Sequence, residues 1–200
     1  MATAAASVTR TGTVLADLLP ATSAGRARVR DAALILGGAA LTGLTAQIAI
    51  PVPGSPVPVS GQTFAALLVG TALGARRGFL SLALYAVVGM AGVPWFAEGR
   101  TGTAFASFGY VLGMLLATTV VGALARRGAD RSVLRTAGTM ALGSAIIYAV
   151  GVPYLALYAH ISLTEAVAAG LTPFLIGDAL KAALAMGALP AAWKLLGRRG

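Results

Sequence analysis

Long apolar runs, separated by short segments rich in arginine or in proline and glycine, make up most of this sequence. A helix needs about 20 mainly apolar residues to cross the hydrocarbon core of a bilayer. Runs that meet or approach this length lie near residues 32–50, 61–74, 78–93, 105–125, 134–153 and 171–196. The second and third are short, so we expect them to tilt or to pack around a cavity. The predicted fold is an all-α integral membrane protein, a bundle of six transmembrane helices.

The composition supports this class and excludes several others. Hydrophobic residues make up 58% of the chain and charged residues only 10%, which is far from the composition of soluble proteins. The chain has no cysteine and one histidine, so disulfides, thiolate sites and multi-histidine metal clusters are excluded and no metal is expected. The net charge of +9 does not predict nucleic-acid binding, because the basic residues flank apolar runs rather than alternate with aromatic residues.

The basic residues instead predict the orientation of the chain. Cytoplasmic loops of membrane proteins carry an excess of lysine and arginine. Of the 15 such residues, all but Lys181 and Arg100 lie within residues 10–30, 76–77, 126–135 and 194–199. If both termini are cytoplasmic, these four segments all fall inside and Arg100 falls outside. This alternation supports an even number of spans in a multi-pass protein of the cell membrane.

The first 30 residues contain no apolar core followed by a cleavage site, so we interpret them as a cytosolic and mobile tail. The alternative is that "TVLADLL" forms one amphipathic turn against the membrane. The first span then carries two pairs of small residues, Ala33 with Gly37 and Ala39 with Gly43, that would let another helix approach closely. The spacing leaves open whether that helix belongs to this chain or to a partner.

Asp178 and Lys181 lie inside the last apolar run, where charged side chains are costly and commonly mark a substrate path. Three residues correspond to about 300° of helical rotation, so the two side chains share one face. They can pair with each other or bind a ligand together. The alternative is an internal ion pair that only fixes helix packing.

Other polar candidates lie toward the predicted outer face. Gln62 and Thr63 begin the second span, directly after the proline-rich segment of residues 50–61. Glu98 and Arg100 flank a glycine in a loop, where they form either a solvated pair or part of a ligand clamp. Four aromatic residues are expected in an interfacial belt, with pocket walls as the alternative: Trp95, Phe96, Phe105 and Phe108.

Three segments together carry a resemblance to a known family. They are "PVPVSGQTFAALLVGTALGARRGFLSLALYAVVGMAGVPWFA" (56–97), "FGYVLGM" (108–114) and "PFLIGDALKAALA" (173–185). The chain resembles the BioY family, the biotin-specific substrate-binding subunits (S components) of energy-coupling factor (ECF) transporters. It differs at residues 106–110, where "ASFGY" replaces the Pro-Thr-Gly-Gly-Tyr pattern of many members, and the N-terminal tail lies outside the resemblance.

The resemblance implies a six-helix bundle that captures biotin on the outer side and delivers it inward. The proline-rich segment would form a stiff cap over the pocket, because proline fixes φ and lacks an N–H donor. Asp178 would accept from the ureido N–H groups of biotin, and Lys181 or Arg100 would neutralise its carboxylate. The expected substrate-binding residues are Asp178, Lys181, Gln62, Thr63, Arg100 and Tyr110.

The expected partners are the lipid bilayer, a transmembrane coupling subunit and ATPase subunits, since the chain has no phosphate-binding loop of its own. No cofactor is expected beyond ATP bound by those partners. One alternative is a stand-alone, proton-coupled carrier of biotin or another small carboxylate that uses Asp178 as its titrating group. An intramembrane enzyme is a weaker alternative, because no recognisable nucleophile motif or aspartate cluster occurs. No catalytic residue is predicted.

Overall fold

The computed structural model describes residues 12–197, and most of them are helical. Five helical segments among these residues are long and apolar enough to cross a membrane. The elements, in chain order, are α1 (Ala24–Ala46), β1 (Ala49–Ile50), β2 (Val59–Ser60), α2 (Gln62–Met90), α3 (Phe108–Arg126), α4 (Val133–Ala159), α5 (Leu163–Gly170) and α6 (Leu175–Gly197). The prediction of an all-helical membrane protein is confirmed.

Helix α2 is broken at Gly74, where the chain reverses direction. Gly74 has φ 82° and ψ 170°, a conformation open essentially to glycine alone. The Tyr85 hydroxyl donates a hydrogen bond to Gln62 Oε1 at 2.7 Å, although an unbroken helix would separate these residues by about 35 Å. Residues 62–73 and 75–90 are therefore two arms that lie side by side, close to the short second and third spans that the sequence predicts.

Neighbouring helices approach closely where glycine removes a side chain. A Cβ atom on Gly109 of α3 would lie 2.2 Å from Cβ of Tyr154 in α4, and one on Gly113 would lie 2.7 Å from the Ile147 carbonyl oxygen. Only a residue without a Cβ atom allows this spacing. On α1, Gly43 packs against the Trp95 ring, whereas Gly37 lines a groove of about 430 Å³ between α1, the first arm of α2 and α6.

The N-terminal segment from Gly12 packs against the bundle. Val14 is fully buried, and the Asp17 carboxylate forms an ion pair with Arg77 at 2.7 Å. Burial opposes ionisation of Asp17, but the hydrogen bonds from Arg77 and the Val14 N–H, together with the charges of Arg77 and Arg126, outweigh burial and hold the pKa of Asp17 below its ordinary value. Helix α1 begins at Ala24 rather than near residue 32. The expected tail is thus ordered over residues 12–30, and its first 11 residues lie outside the described part of the chain.

Two predicted boundaries at the other end of the bundle differ from the structure. Helix α4 continues through Pro153 to Ala159, because a proline costs one backbone hydrogen bond but can be accommodated as a kink in a membrane helix. The following segment, predicted as a loop, contains α5, whose first turn is closed by a capping box between Ser162 and Glu165. A short 3-10 turn, residues 172–174, then leads into α6.

The proline-rich segment joins α1 to α2 as a hairpin. Its two ends pair antiparallel, with Ala49 opposite Ser60 and Ile50 opposite Val59. Helix α2 starts directly after β2, so this pairing fixes the position of Gln62 and Thr63 at its first turn. Val57, near the end of the loop, is 4% exposed and packs into the bundle.

Candidate functional site

Asp178 and Lys181 lie on one face of α6 and point toward the interior of the bundle. The Lys181 ammonium is 3.3 Å from Asp178 Oδ1, and it also donates to Thr63 Oγ1 at 2.8 Å. Their side chains are only 16% and 19% exposed. The predicted shared face is confirmed, and Lys181 connects α6 to the first turn of α2.

Tyr148 of α4 completes this group, and sequence reasoning missed it. Its hydroxyl donates a hydrogen bond to Asp178 Oδ2, so the carboxylate is held by both Lys181 and Tyr148. The Tyr148 ring lies edge-on to Tyr110, with the ring centroids 6.3 Å apart. The only signal in the sequence is a tyrosine hydroxyl inside an otherwise apolar span, "AIIYAV".

Gln62 and Tyr110 present polar groups to the same space. Gln62 is 5% exposed, and its Oε1 accepts from Tyr85, which leaves the two N–H donors of the amide without an acceptor among the described residues. Tyr110 is likewise buried, and its hydroxyl donates to the Gly170 carbonyl oxygen at 2.8 Å. The hydrogen bond from Tyr110 attaches α3 to the end of α5.

A small cavity lies at the centre of these groups. Its volume is about 20 Å³, close to that of a single water molecule. Five of the six predicted binding residues line it, together with residues of the hairpin and of α3, α4 and the 3-10 turn. The complete lining is Val57, Pro58, Ser60, Gln62, Thr63, Ser107, Tyr110, Tyr148, Phe174, Asp178 and Lys181.

Two further cavities meet the first at Asp178. One, of about 10 Å³, has a mostly apolar surface that includes Phe64 and Leu67, and Thr63, Ser144 and Lys181 also line it. The other is an open groove of about 650 Å³ between α4, α5 and α6, lined almost entirely by apolar side chains apart from Ser144, Tyr148 and Asp178. Asp178 thus stands where a polar cavity, an apolar cavity and a wide groove adjoin.

Arg100 is not brought into this group. It lies in the loop between α2 and α3, its side chain is 46% exposed, and it forms an ion pair with Glu98 at 3.1 Å. It does not line the small cavity. Of the two interpretations of the sequence, the structure has the solvated pair, because both side chains are partly exposed and neither lines the cavity.

The four aromatic residues near this loop are not an interfacial belt. Phe96, Phe105 and Phe108 are at most 7% exposed, and their ring centroids lie 5.4 to 6.3 Å apart. Trp95 and Phe96 both pack against Tyr85. Stacking inside the bundle buries more apolar surface than an interfacial position would, and it supports Tyr85, the partner of Gln62.

The arrangement has spare hydrogen-bonding capacity for a small polar ligand. An ionised carboxylate offers about four acceptor positions, and described residues use two of those on Asp178. The Lys181 ammonium has three donors and uses two. The site therefore offers acceptors from Asp178 beside donors from Lys181 and Gln62, within apolar surroundings.

Comparison with known proteins identifies the family. The model of the BioY family matches residues 18–198, which is most of the chain. The chain belongs to the BioY family. This confirms the resemblance seen in the sequence.

Several BioY relatives match over most of their length. A probable biotin transporter BioY of Pyrococcus horikoshii is 32% identical over 162 residues, which cover 80% of this chain and 93% of the relative. The biotin transporter BioY of Thermotoga maritima is 34% identical over 139 residues, or 68% of this chain and 80% of the relative. The range matched by the family model, residues 18–198, includes the hairpin, the cavity and the charged pair of α6.

The fold also matches a solved structure, the crystal structure of the S-component for biotin from an ECF-type ABC transporter. The TM-score is 0.74 at 20% sequence identity, and the match covers 90% of this chain and 94% of that one. At this identity the likeness establishes the fold alone. Together with the apolar helices, it makes this BioY chain a multi-pass protein of the cell membrane.

Proposed function

We propose that this chain is the biotin-binding membrane subunit of an uptake system. The observation that carries the proposal is the position of Asp178, Tyr148 and Lys181, a hydrogen-bonded polar group inside an apolar bundle of a BioY-family chain. Relatives over most of its length are named biotin transporters. Ionisable groups inside a membrane-spanning bundle are costly to insert, and a substrate site accounts for that cost.

The chemistry of biotin is complementary to the polar groups of the site. Its ureido ring has two N–H donors, for which Asp178 retains two acceptor positions. Its ureido carbonyl needs a donor, which the amide of Gln62 can supply. Its carboxylate needs a cation, and we assign that role to Lys181 rather than Arg100, because Arg100 lies outside the cavity and is paired with Glu98. Since the Lys181 ammonium is 3.3 Å from Asp178 Oδ1, this assignment requires the valerate chain to fold back toward the ureido ring.

Binding requires the site to enlarge. Pockets for small organic ligands typically occupy about 300–1,000 Å³, whereas the polar cavity occupies about 20 Å³. The hairpin residues Val57 and Pro58 form part of its wall, and the Asp178 carboxyl is shared with the neighbouring apolar cavity and groove. Displacement of the hairpin, with a shift of Tyr148, would join these spaces into a pocket with one polar end and apolar walls for the thioether ring.

The topology we propose has six spans with both termini in the cytoplasm. The two arms of α2 on either side of Gly74 count as separate crossings, which adds one to the five apolar segments. Arg76 and Arg77 then lie at the cytoplasmic turn between these arms, as the distribution of positive charge favours. The hairpin and the cavity face the outer side, where biotin would enter.

The energy for uptake would come from partner subunits. A fold match to an S-component of an ECF-type ABC transporter favours a membrane coupling subunit with paired ATPases. The groove between α1, α2 and α6, which contains Gly37, is a candidate contact surface for such a subunit. No cofactor is assigned to this chain. A proton-coupled carrier that acts alone shares the same site and remains the second candidate.

The direct test is a titration of labelled biotin against the full chain purified in detergent, with thiamine and riboflavin as ligand controls. We expect selective binding that weakens about 10- to 100-fold in Asp178→Asn, since a hydrogen bond to a charged group contributes about 1.5–3 kcal/mol. Tyr148→Phe should also weaken binding. Tyr158→Phe is the matched control, because that hydroxyl donates to the Ala104 carbonyl oxygen away from the cavity.

The variants also separate the competing assignments. If Lys181→Ala loses affinity for biotin and Arg100→Gln does not, the result supports Lys181 as the cation that binds the carboxylate of biotin. The reverse result contradicts that assignment. Absence of biotin binding by folded wild-type protein would reject the proposed function. Uptake into vesicles by this chain alone, abolished when the proton gradient is collapsed, would favour the carrier over an ATP-dependent assembly.

A further inference from the structure

A second pocket lies at the basic end of the bundle and shares no lining residue with the cavity beside Asp178. It occupies about 160 Å³ between α1, the second arm of α2 and the end of α3. Its walls combine four charged side chains with two apolar ones. They are Asp31, Ile35, Arg76, Arg77, Leu80 and Arg126.

The charges of this pocket are not balanced within the described residues. Arg77 is engaged by two carboxylates, Asp17 at 2.7 Å and Asp31 at 3.1 Å. Arg126 lies 3.7 Å from Asp17 and donates to the Gly12 carbonyl oxygen. Arg76 has no hydrogen-bond or ion-pair partner between residues 12 and 197, so its guanidinium leaves positive charge available to an anion.

The apolar part of the wall lies beside exposed apolar side chains of the helices that are long enough to cross a membrane. Leu80 is 39% exposed, and its neighbour Phe79 is 41% exposed. On α1, Ile35 lines the pocket next to Leu36, which is 60% exposed. The pocket therefore opens at the boundary between an arginine cluster and a lipid-facing apolar surface.

We propose that this pocket binds the phosphate headgroup of an anionic membrane lipid, with Arg76 and Arg126 as its cationic contacts. Arginine pairs with phosphate through parallel N–H donors, and basic pockets between membrane helices suit such headgroups. A free anion would use the arginines alone, whereas a lipid also uses the apolar wall formed by Ile35 and Leu80. Such a lipid would bridge α1, α2 and α3 on the side of the bundle opposite the biotin site.

The test uses native mass spectrometry of the full chain in detergent, titrated with phosphatidylglycerol and, separately, with phosphatidylcholine. We expect tighter binding of the anionic lipid and about fivefold weaker binding of it in Arg76→Gln. Arg76→Lys should retain most of the affinity, because it keeps the charge. Arg135→Gln is the matched control, an exposed arginine at the same end of the bundle that does not line the pocket.

Three results would overturn the proposal. Equal affinities for the two lipids would show that the headgroup charge is not recognised. Equal losses in Arg76→Gln and Arg135→Gln would show attraction to the basic surface as a whole rather than to this pocket. Displacement of the lipid by glycerol phosphate or inorganic phosphate at equal concentration would assign the pocket to a soluble anion.

Discussion

Replacement of Gly74 by alanine tests the reversal between the two arms of α2. At φ 82° and ψ 170°, a residue with a Cβ atom is strained by about 1–3 kcal/mol. The added Cβ would also lie 3.3 Å from two nitrogen atoms of the Arg126 guanidinium and 3.4 Å from Val14, which are close contacts. For a chain of this size, 1 kcal/mol corresponds to about 2–4 °C in the unfolding midpoint. We therefore expect Gly74→Ala to lower the midpoint by about 2–12 °C.

The measurement is thermal unfolding of the purified chain in detergent, with Gly138→Ala as the matched control. Gly138 lies in α4 with ordinary helical geometry, and a Cβ there would meet none of the described residues within 4 Å. Alanine gains up to about 1 kcal/mol over glycine inside a helix, so the control should unfold at the wild-type midpoint or above it. Equal midpoints for the two variants would refute the reversal, and with it the reason for counting the arms as separate spans.

Two further variants test the ends of the chain. Trp193→Phe removes the donor at 2.7 Å from Asp130, a fully buried carboxyl, and should lower the stability by about 1.5–3 kcal/mol. Burial raises the pKa of Asp130, and the Trp193 hydrogen bond favours the ionised carboxylate. We therefore expect a larger loss of stability above the folded pKa of Asp130 than below it, and a loss independent of pH would contradict this account. Asp17→Asn should cost about 1 kcal/mol at pH 7. The pKa of Asp17 is lowered in the fold, and the hydrogen bond from Arg77 is the largest of the causes that lower it. Its contribution to stability is therefore present above pH 3.8 and is lost as the pH falls through the folded pKa, where the stabilities of the wild type and the variant should converge. A difference in stability that persists at that pH would exclude the ion pair as its cause.

Most of the helical architecture could be predicted, because the length and polarity of each run decide whether it can cross a bilayer. The predicted run at 105–125 corresponds closely to α3, Phe108–Arg126. The predicted helix boundaries were wrong where contacts with other parts of the structure decided where a helix begins or ends. Residues 24–31 are polar enough to resemble a tail, yet their helix is stabilised by the Ser23 cap and by the ion pair from Asp31 to Arg77. The predicted end of α4 was wrong because we took Pro153 as the end of the helix, although a membrane helix can accommodate a proline in its interior.

The candidate site was predicted where its geometry is local. The spacing of Asp178 and Lys181 fixes their common face, because three residues on a helix always return to nearly the same side. The position of Gln62 and Thr63 at the start of a helix could be predicted, because the proline-rich segment and the first turn of α2 are adjacent in the chain. The positions of Tyr148 and Arg100 could not be predicted in this way. Nothing in the sequence around either residue indicates that Tyr148 contacts the Asp178 carboxylate and that Arg100 does not.

The sequence alone therefore determined the membrane class, most of the helical segments, the family resemblance and the charged pair of α6. These properties follow from hydrophobicity, charge and helical periodicity, which each segment carries independently of the others. Only the tertiary structure decided that Tyr148 holds Asp178, that Lys181 joins Thr63 and that Arg100 stays in solvent with Glu98. Contacts of this kind depend on how separate helices pack, and their packing is a property of the whole bundle rather than of any one segment.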